Sequence, residues 1–489
     1  MTRTLGLRLP DWRLVIRAAQ LPVLFAPLLV AIMAGCTTAP PFVPYDATVG
    51  DAPRFDVPLG DARYVRPDAP TLPAADFEVT LPYRGDPATI ELEVEAGLAF
   101  LDVVFSVDAT GSFGGEIDAL QRSLESTVLP ALQARVDEVA VGISRFEDFP
   151  VTPFGVGSDR PFELVTAITT SRDRIRGALA ALSTRGNGGD TAESGAEALY
   201  QLGTGEGFVL DGRQLVPSFT MGATGGGRIG GAGFREGSYR VIVHVTDAPT
   251  HEPTDYGVLV PGSHSSDQGI AVLTSLGVRV LGIASNDVAR GHLEYFARAT
   301  GAVAPATAGR CPTGLRGALR PSSGGVCPLV FDIGEDGEGL SGAIVDAIAN
   351  LLDTLSWREA HGEVQDDRYA FVTSIEAASA VPPAGIAAPT REDRYDGAAS
   401  GIDGVLDTFV EVGTGTTLSF AVHLSNTTIE AADYDQFFRV TVAVTGDGLV
   451  LEERTIRVTV PRRVRTDAGE LDAGEFDAGE PDAGEPDVR

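Results

Sequence analysis

The stretch Asp102–Ser112, Asp-Val-Val-Phe-Ser-Val-Asp-Ala-Thr-Gly-Ser, constrains this chain most. Val103, Val104, Phe105 and Val107 form a short, β-branched apolar run that stops at Asp108. Such a run predicts a buried central strand, because a parallel sheet is covered on both faces. Asp108, Thr110 and Ser112 follow at alternate positions. They fall on the loop at the strand's carboxyl end, where open α/β sheets bind their ligands. One carboxylate and two hydroxyls are hard oxygen donors, and they suit a divalent cation such as Mg²⁺. The same residue types also cap helices well, so an N-cap for the next helix is the plainer alternative.

A chain of 489 residues predicts roughly two to four domains. The net charge of −31 argues against nucleic-acid binding, which needs basic patches, and favours cations. All 37 basic residues are arginine. That excludes a phosphate-loop lysine and Schiff-base chemistry.

The N-terminus carries Arg3, Arg8, Arg13 and Arg17, then an apolar run from Leu21 to Ala34. The run is short for a membrane span and fits a secretory signal. It ends Met33-Ala34-Gly35-Cys36, which resembles the bacterial lipobox, with Met33 where Leu is usual. The resemblance implies a signal peptide over residues 1–35 and lipidation of Cys36. Thr37 follows, with no aspartate there to imply inner-membrane retention. An outer-membrane lipoprotein of the cell envelope is the expectation. Residues 36–75 are rich in Pro, Asp and Ala, without periodicity, and read as a disordered tether.

Phe77, Val79 and Leu81 alternate with polar residues, as do Ile90, Leu92 and Val94 beyond a Gly85-Asp86-Pro87 turn. This predicts a hairpin-like unit of a half-solvated sheet. Arg84-Gly85-Asp86 spells an adhesion tripeptide, but ordinary turn chemistry accounts for it. After the central strand, Ile117, Leu120, Leu124, Val128 and Leu132 recur at helical spacing. Strands are expected at Val139–Phe146, Tyr239–Thr246 and Val278–Ile283. Helices are expected within Ile168–Leu182, at Ile270–Leu276, at His292–Ala299 and over Leu340–Leu355. The alternation predicts an α/β fold with a doubly wound, mostly parallel sheet. Gly225-Gly226-Gly227-Arg228-Ile229-Gly230 matches a dinucleotide fingerprint in letters only, because it leads into a strand. Cys311 and Cys327 are expected to pair in an oxidising compartment. Beyond Trp357 the pattern turns to strands, an all-β sandwich over residues 358–465. Residues 466–489 repeat Asp-Ala-Gly-Glu and read as a disordered acidic tail.

Three further loops bring candidate oxygens toward Asp108: Phe146-Glu147-Asp148-Phe149-Pro150, Asp190-Thr191-Ala192-Glu193, and Thr246-Asp247-Ala248-Pro249-Thr250-His251. Together with Gly233-Phe234-Arg235, these segments resemble the von Willebrand factor type A fold, and more narrowly the I-like domain of integrin β subunits. There the first loop reads Asp-x-Ser-x-Ser, and the second Asp-x-Pro-Glu. The resemblance extends to the flanks. It implies a domain over residues 98–357 inserted into a hybrid-type β-sandwich made of residues 76–97 and 358–465.

It also implies cation sites. Asp108, Thr110, Ser112, Glu193 and Asp247 would hold Mg²⁺ or Mn²⁺ at a central adhesion site. Asp148, Asp190 and Glu193 would form a neighbouring site, with Ca²⁺ as its candidate ion. The third site of the family needs two adjacent acids, and here only Glu116 remains after Gly115. The implied function is binding, not turnover: the cation takes a carboxylate from a protein ligand. No nucleophile–base pair with supporting context is present, and the chain is not expected to be an enzyme. The alternative is a structural or assembly lipoprotein whose metal site is stabilising or vestigial.

Overall fold

The computed structural model describes residues 74–184, 186, 188–218, 227–395 and 404–463. The expected signal peptide, Cys36, nearly all of the tether, the acidic tail, and Gly225 and Gly226 lie outside the described residues.

Six strands form the central sheet: β1 (Phe100–Asp108), β2 (Glu138–Phe146), β3 (Glu163–Thr169), β4 (Tyr239–Thr246), β5 (Val278–Ala284) and β6 (Val330–Asp332). Their order is β3-β2-β1-β4-β5-β6. This is the doubly wound order, in which the chain reverses direction across β1 and opens a crevice there. All neighbours are parallel except β2 and β3, which are antiparallel. In β1, every residue after Phe100 is buried. Val103, Phe105 and Val107 pack on one face with Ile117 and Leu120 of helix α1 (Gly114–Ser123). Val104 packs on the other face with Leu199 and Leu202. Two-sided burial is why the strand reads as a continuous apolar run.

The apolar spacing past α1 is four residues at each step, Leu120 to Leu132. An α-helix of 3.6 residues per turn would drift off the core at that spacing. A π-helical turn at Leu124–Val128 takes up the drift before Leu129–Gln133. Helix α2 (Arg172–Ala181) lies within the expected Ile168–Leu182 span, and Ile168 and Thr169 are the last residues of strand β3. Helices α3 (Gly195–Thr204), α4 (Ser266–Ser275), α5 (Asp287–Ala299) and α6 (Leu340–Leu352) complete the layers. Between α5 and β6, Cys311 and Cys327 are joined, with an S–S distance of 2.08 Å.

The sandwich has two sheets. The larger runs in the order Phe77–Thr80, Leu449–Val460, Gln436–Gly446, Ser356–Asp366, Thr408–Gly413, Thr390–Glu392. The smaller is Val372–Val381, Thr417–Leu424, Ala88–Glu95. The two leading strands are not a hairpin. Phe77–Thr80 pairs in parallel with the last strand, Phe77 opposite Ile456. Ala88–Glu95 joins the other sheet, antiparallel to Thr417–Leu424. Each is an alternating strand whose apolar face needs a different sheet. The α/β sheet is thus inserted between strands of one sandwich. Backbone bonds tie the two together, Ala99 N to Val450 O at 3.0 Å and Val450 N to Gly237 O at 2.9 Å. Among the described residues, no helix is long and apolar enough to cross a membrane.

Candidate metal centre

Asp108 is the last residue of β1 and is fully buried. Its Oδ1 accepts hydrogen bonds from Thr110 N at 3.0 Å and Thr110 Oγ1 at 2.7 Å. Its Oδ2 accepts from Thr246 Oγ1 at 2.7 Å. Thr110 Oγ1 and Ser112 Oγ lie 3.4 Å apart. The register puts these atoms together, because Val107 of β1 pairs with Val245 of β4. No side chain caps the turn at Gly111–Phe113 or α1 after it. The Asp-x-Thr-x-Ser loop therefore folds on itself, and helix capping is not its role. Asp247 follows Thr246 and is half-buried.

The loop before α3 is held over β1 by isolated backbone bridges, Thr110 with Gly186 and Glu193 with Thr250. Ser194 Oγ donates to Glu147 O at 2.6 Å and Pro161 O at 2.9 Å, pinning the loop to the one after β2. Two glycines make room for carboxylates. A Cβ at Gly188, where φ is +62°, would stand 2.6 Å from Glu193 Oε1. A Cβ at Gly186 would stand 1.8 Å from Asp159 Oδ1. Glu193 is 4% exposed and its Oε2 has no hydrogen-bond partner. Asp159 is fully buried, and its Oδ1 has no partner either.

Burial, opposed by bonds from Thr110 and Thr246 and assisted by the charge of Asp247, raises the Asp108 pKa to about 6. Burial raises Glu116 to about 7, with Asp247 and Asp108 adding to it. Burial, then the charges of Asp108, Asp148, Asp159 and Asp190, push Glu193 up to about 10. Among the described residues, no arginine forms an ion pair with Asp108, Glu116, Glu193 or Asp247. Like charges buried together without a counter-charge are costly, and a bound cation removes that cost. The candidates Asp108, Thr110, Ser112, Glu193 and Asp247 all offer oxygens, and Oε2 of Glu193 has no hydrogen-bond partner; among the described residues the acids grouped within shared ligand distance are Asp148 and Asp190, with His251. The all-oxygen candidate set fits a hard divalent cation.

The neighbouring group is built differently. Asp148 is fully buried. Its Oδ1 accepts from Phe149 N at 2.6 Å and from the Tyr256 hydroxyl at 2.6 Å. Its Oδ2 lies 2.8 Å from His251 Nδ1. His251 Nε2 lies 3.3 Å from Asp190 Oδ2. Burial alone would lower the His251 pKa, but its bond to Asp148, with the charges of Asp148 and Asp190, raises it. Asp148, Asp190 and His251 form a group that could hold a metal ion. The set does not fit an all-oxygen calcium site as it stands: a nitrogen lies between the two acids, and both Asp148 oxygens have partners.

His251, Tyr256, Thr246 and Asp159 were not assigned to either site from the sequence. Only His251 carried a signal, standing four residues after Asp247 in the same loop. Arg235 of the Gly-Phe-Arg segment is structural. Its backbone N and Nε bind the buried Asp102 carboxylate at 2.6 and 2.7 Å.

No protein-family model matches the chain, and no curated protein matches it. Solved structures do. A von Willebrand factor type A protein from Catenulispora acidiphila aligns at 13% identity and a TM-score of 0.31, covering 77% of this chain and 74% of that one. The open conformation of the pilus adhesin SpaC from Lactobacillus rhamnosus GG aligns at 11% identity and a TM-score of 0.31, covering 78% of this chain and 46% of that one. Likenesses this distant assign no family, and the reading of the site rests on its own residues.

Proposed function

We propose that this chain is a cell-envelope binding protein. It holds Mg²⁺ or Mn²⁺ at Asp108, Thr110, Ser112, Glu193 and Asp247, and through that ion takes a carboxylate from a protein partner. The observation that carries the reading is Glu193, buried beside other acids with an unpartnered oxygen and no ion pair to an arginine among the described residues. Two of the five donors are neutral hydroxyls, so the cation would keep positive character and attract a further carboxylate. That chemistry is binding; the chain is not proposed as an enzyme. At the neighbouring group the His251 nitrogen favours a transition metal such as Zn²⁺ or Fe²⁺ over Ca²⁺. The anchor belongs to the same proposal, with Cys36 as the lipidated residue.

The test is calorimetry of Mg²⁺ and Mn²⁺ on the purified chain and on Asp108→Ala. Heat in the first and none at this site in the second is expected, and equal heats would sink the cation reading. If chelator lowers thermal stability yet leaves cross-linking to partners on intact cells unchanged, the ion is merely stabilising. For the anchor, Cys36→Ser should leave the membrane fraction; unchanged fractionation refutes it.

A further inference from the structure

Asp148, Asp190 and His251 stand on three loops at the carboxyl edge of the central sheet, after β2, before α3 and after β4. One candidate ligand atom from each lies within 4.8 Å of the other two. Packing fixes the imidazole. Its ring stands edge-on to Phe154 at 5.1 Å and tilted against Tyr256 at 4.8 Å. Nδ1 lies 2.8 Å from Asp148 Oδ2, while Phe149 N and the Tyr256 hydroxyl hold the other oxygen of Asp148. Nε2 is left facing Asp190, whose Oδ2 is 3.3 Å away. Gly189 brings Asp190 to that place. Gly189 N donates to Phe154 O at 2.6 Å, and a Cβ on Gly189 would stand 1.9 Å from Pro153 O. Asp148 and His251 are buried and Asp190 is exposed, so the group opens to solvent at the Asp190 end.

We propose that this group is a site for a zinc-class ion, separate from the central cation, with His251 Nε2 and Asp190 as ligands and Asp148 as the positioning residue that aims the imidazole. This rests on the reading of the neighbouring group given above and deepens it. It departs from the calcium that the resemblance implies. The 3.3 Å between Nε2 and Asp190 Oδ2 is the spacing of two ligands each about 2.0–2.1 Å from a tetrahedral zinc ion. A carboxylate on Nδ1 fixes the tautomer that leaves the Nε2 lone pair for a metal, and it raises the basicity of that nitrogen. Calcium seeks about six to eight oxygens. Here both Asp148 oxygens are engaged and a nitrogen faces Asp190, so the set selects against it. Water would complete the shell from the Asp190 side.

The experiment titrates the full chain, cleared of metal, with Zn²⁺ by calorimetry and with Co²⁺ by its visible bands, which report the ligand field. Variants are His251→Ala, Asp190→Asn, Asp148→Asn and Asp108→Ala, with thermal melts of the metal-free forms to show that each is folded. The wild-type chain should bind a Zn²⁺ ion that a large excess of Ca²⁺ does not displace. His251→Ala should weaken that binding by about a hundredfold, and Asp190→Asn by at least about tenfold. Asp148→Asn should keep the ion about tenfold more weakly and shift the Co²⁺ bands, which a merely structural role would not do. Asp108→Ala should leave the Zn²⁺ ion in place. The inference is overturned if His251→Ala keeps Zn²⁺ affinity within about threefold, since the zinc is then adventitious. It is equally overturned if Ca²⁺ displaces Zn²⁺ from the wild-type chain and binds His251→Ala as well. A chain that binds Zn²⁺ through His251 but no Mg²⁺ through Asp108 would support this site and overturn the central cation reading alone.

Discussion

Asp108, Glu116 and Glu193 keep their protons to about pH 6, 7 and 10 in the folded chain without metal. Ordinary carboxyls lose theirs near pH 4. Between those limits the folded state binds more protons than the unfolded one, so stability falls as pH rises. His244 acts in the opposite sense. Burial depresses its pKa to about 3, so its contribution grows as pH rises from about 3 to the usual 6.5 and is flat above that. Three acids outweigh one histidine, so the melting temperature of chelated protein should fall between pH 5 and 8. Saturating Mg²⁺ should remove most of that fall, and differential scanning calorimetry reads both. A flat chelated profile would contradict the burial of these acids. Asp102 offers a control outside the centre: Asp102→Ala strands Arg235 and should cost about 3 kcal/mol in urea unfolding, with Mn²⁺ affinity unchanged. What was legible at this scale was local. Asp108, Thr110 and Ser112 announce themselves by spacing. Tyr256 meets Asp148 across 108 residues and Thr246 meets Asp108 across 138, so neither leaves a mark in its own neighbourhood.

At the scale of elements, strands buried on both sides were readable because they are continuous apolar runs. Strand β3 was not: five of its seven residues are only half-buried, and it has no alternation to mark it. Strand β6 is three residues long, too short to show a period. The hairpin reading failed because alternation fixes which face of a strand is buried but not which sheet receives it. The loop before α3 makes its own prediction. Gly188→Ala would put a methyl against Glu193 and force a positive φ on a residue with a side chain. The variant should stay folded by circular dichroism and bind Mn²⁺ about tenfold more weakly. Unchanged affinity would mean that Glu193 does not serve the ion from that position. The disulfide between α5 and β6 closes a span of 16 residues. Its loss in Cys311→Ser/Cys327→Ser should cost about 3 kcal/mol in chemical unfolding. The pairing was legible from the two cysteines and the expected compartment; the small strands around them were not.

Across the whole molecule, the sandwich is divided by the α/β insertion. A fragment of residues 356–463 lacks Phe77–Thr80 and Ala88–Glu95, each the edge strand of a different sheet. It should melt broadly and early. Adding residues 74–97 through a flexible linker should restore a cooperative transition, and equal, sharp melts from both would show that the leading strands are dispensable. The division also has a consequence for how the chain is made. Glu78 meets Arg457 across 379 residues, and the same separation parts Asp76 from Thr455. At about 5–20 residues per second, a ribosome needs roughly 20–75 s to supply the second partner after the first has emerged. For that interval the leading strands wait unpaired, while everything needed for the insertion between them is completed. Glu91, Glu93 and Glu95, exposed on the finished sandwich, give the waiting strand a charged face that resists pairing with the wrong chain. The order of synthesis therefore runs from the inside outward: the cation-binding layer can be complete before the frame that holds it closes.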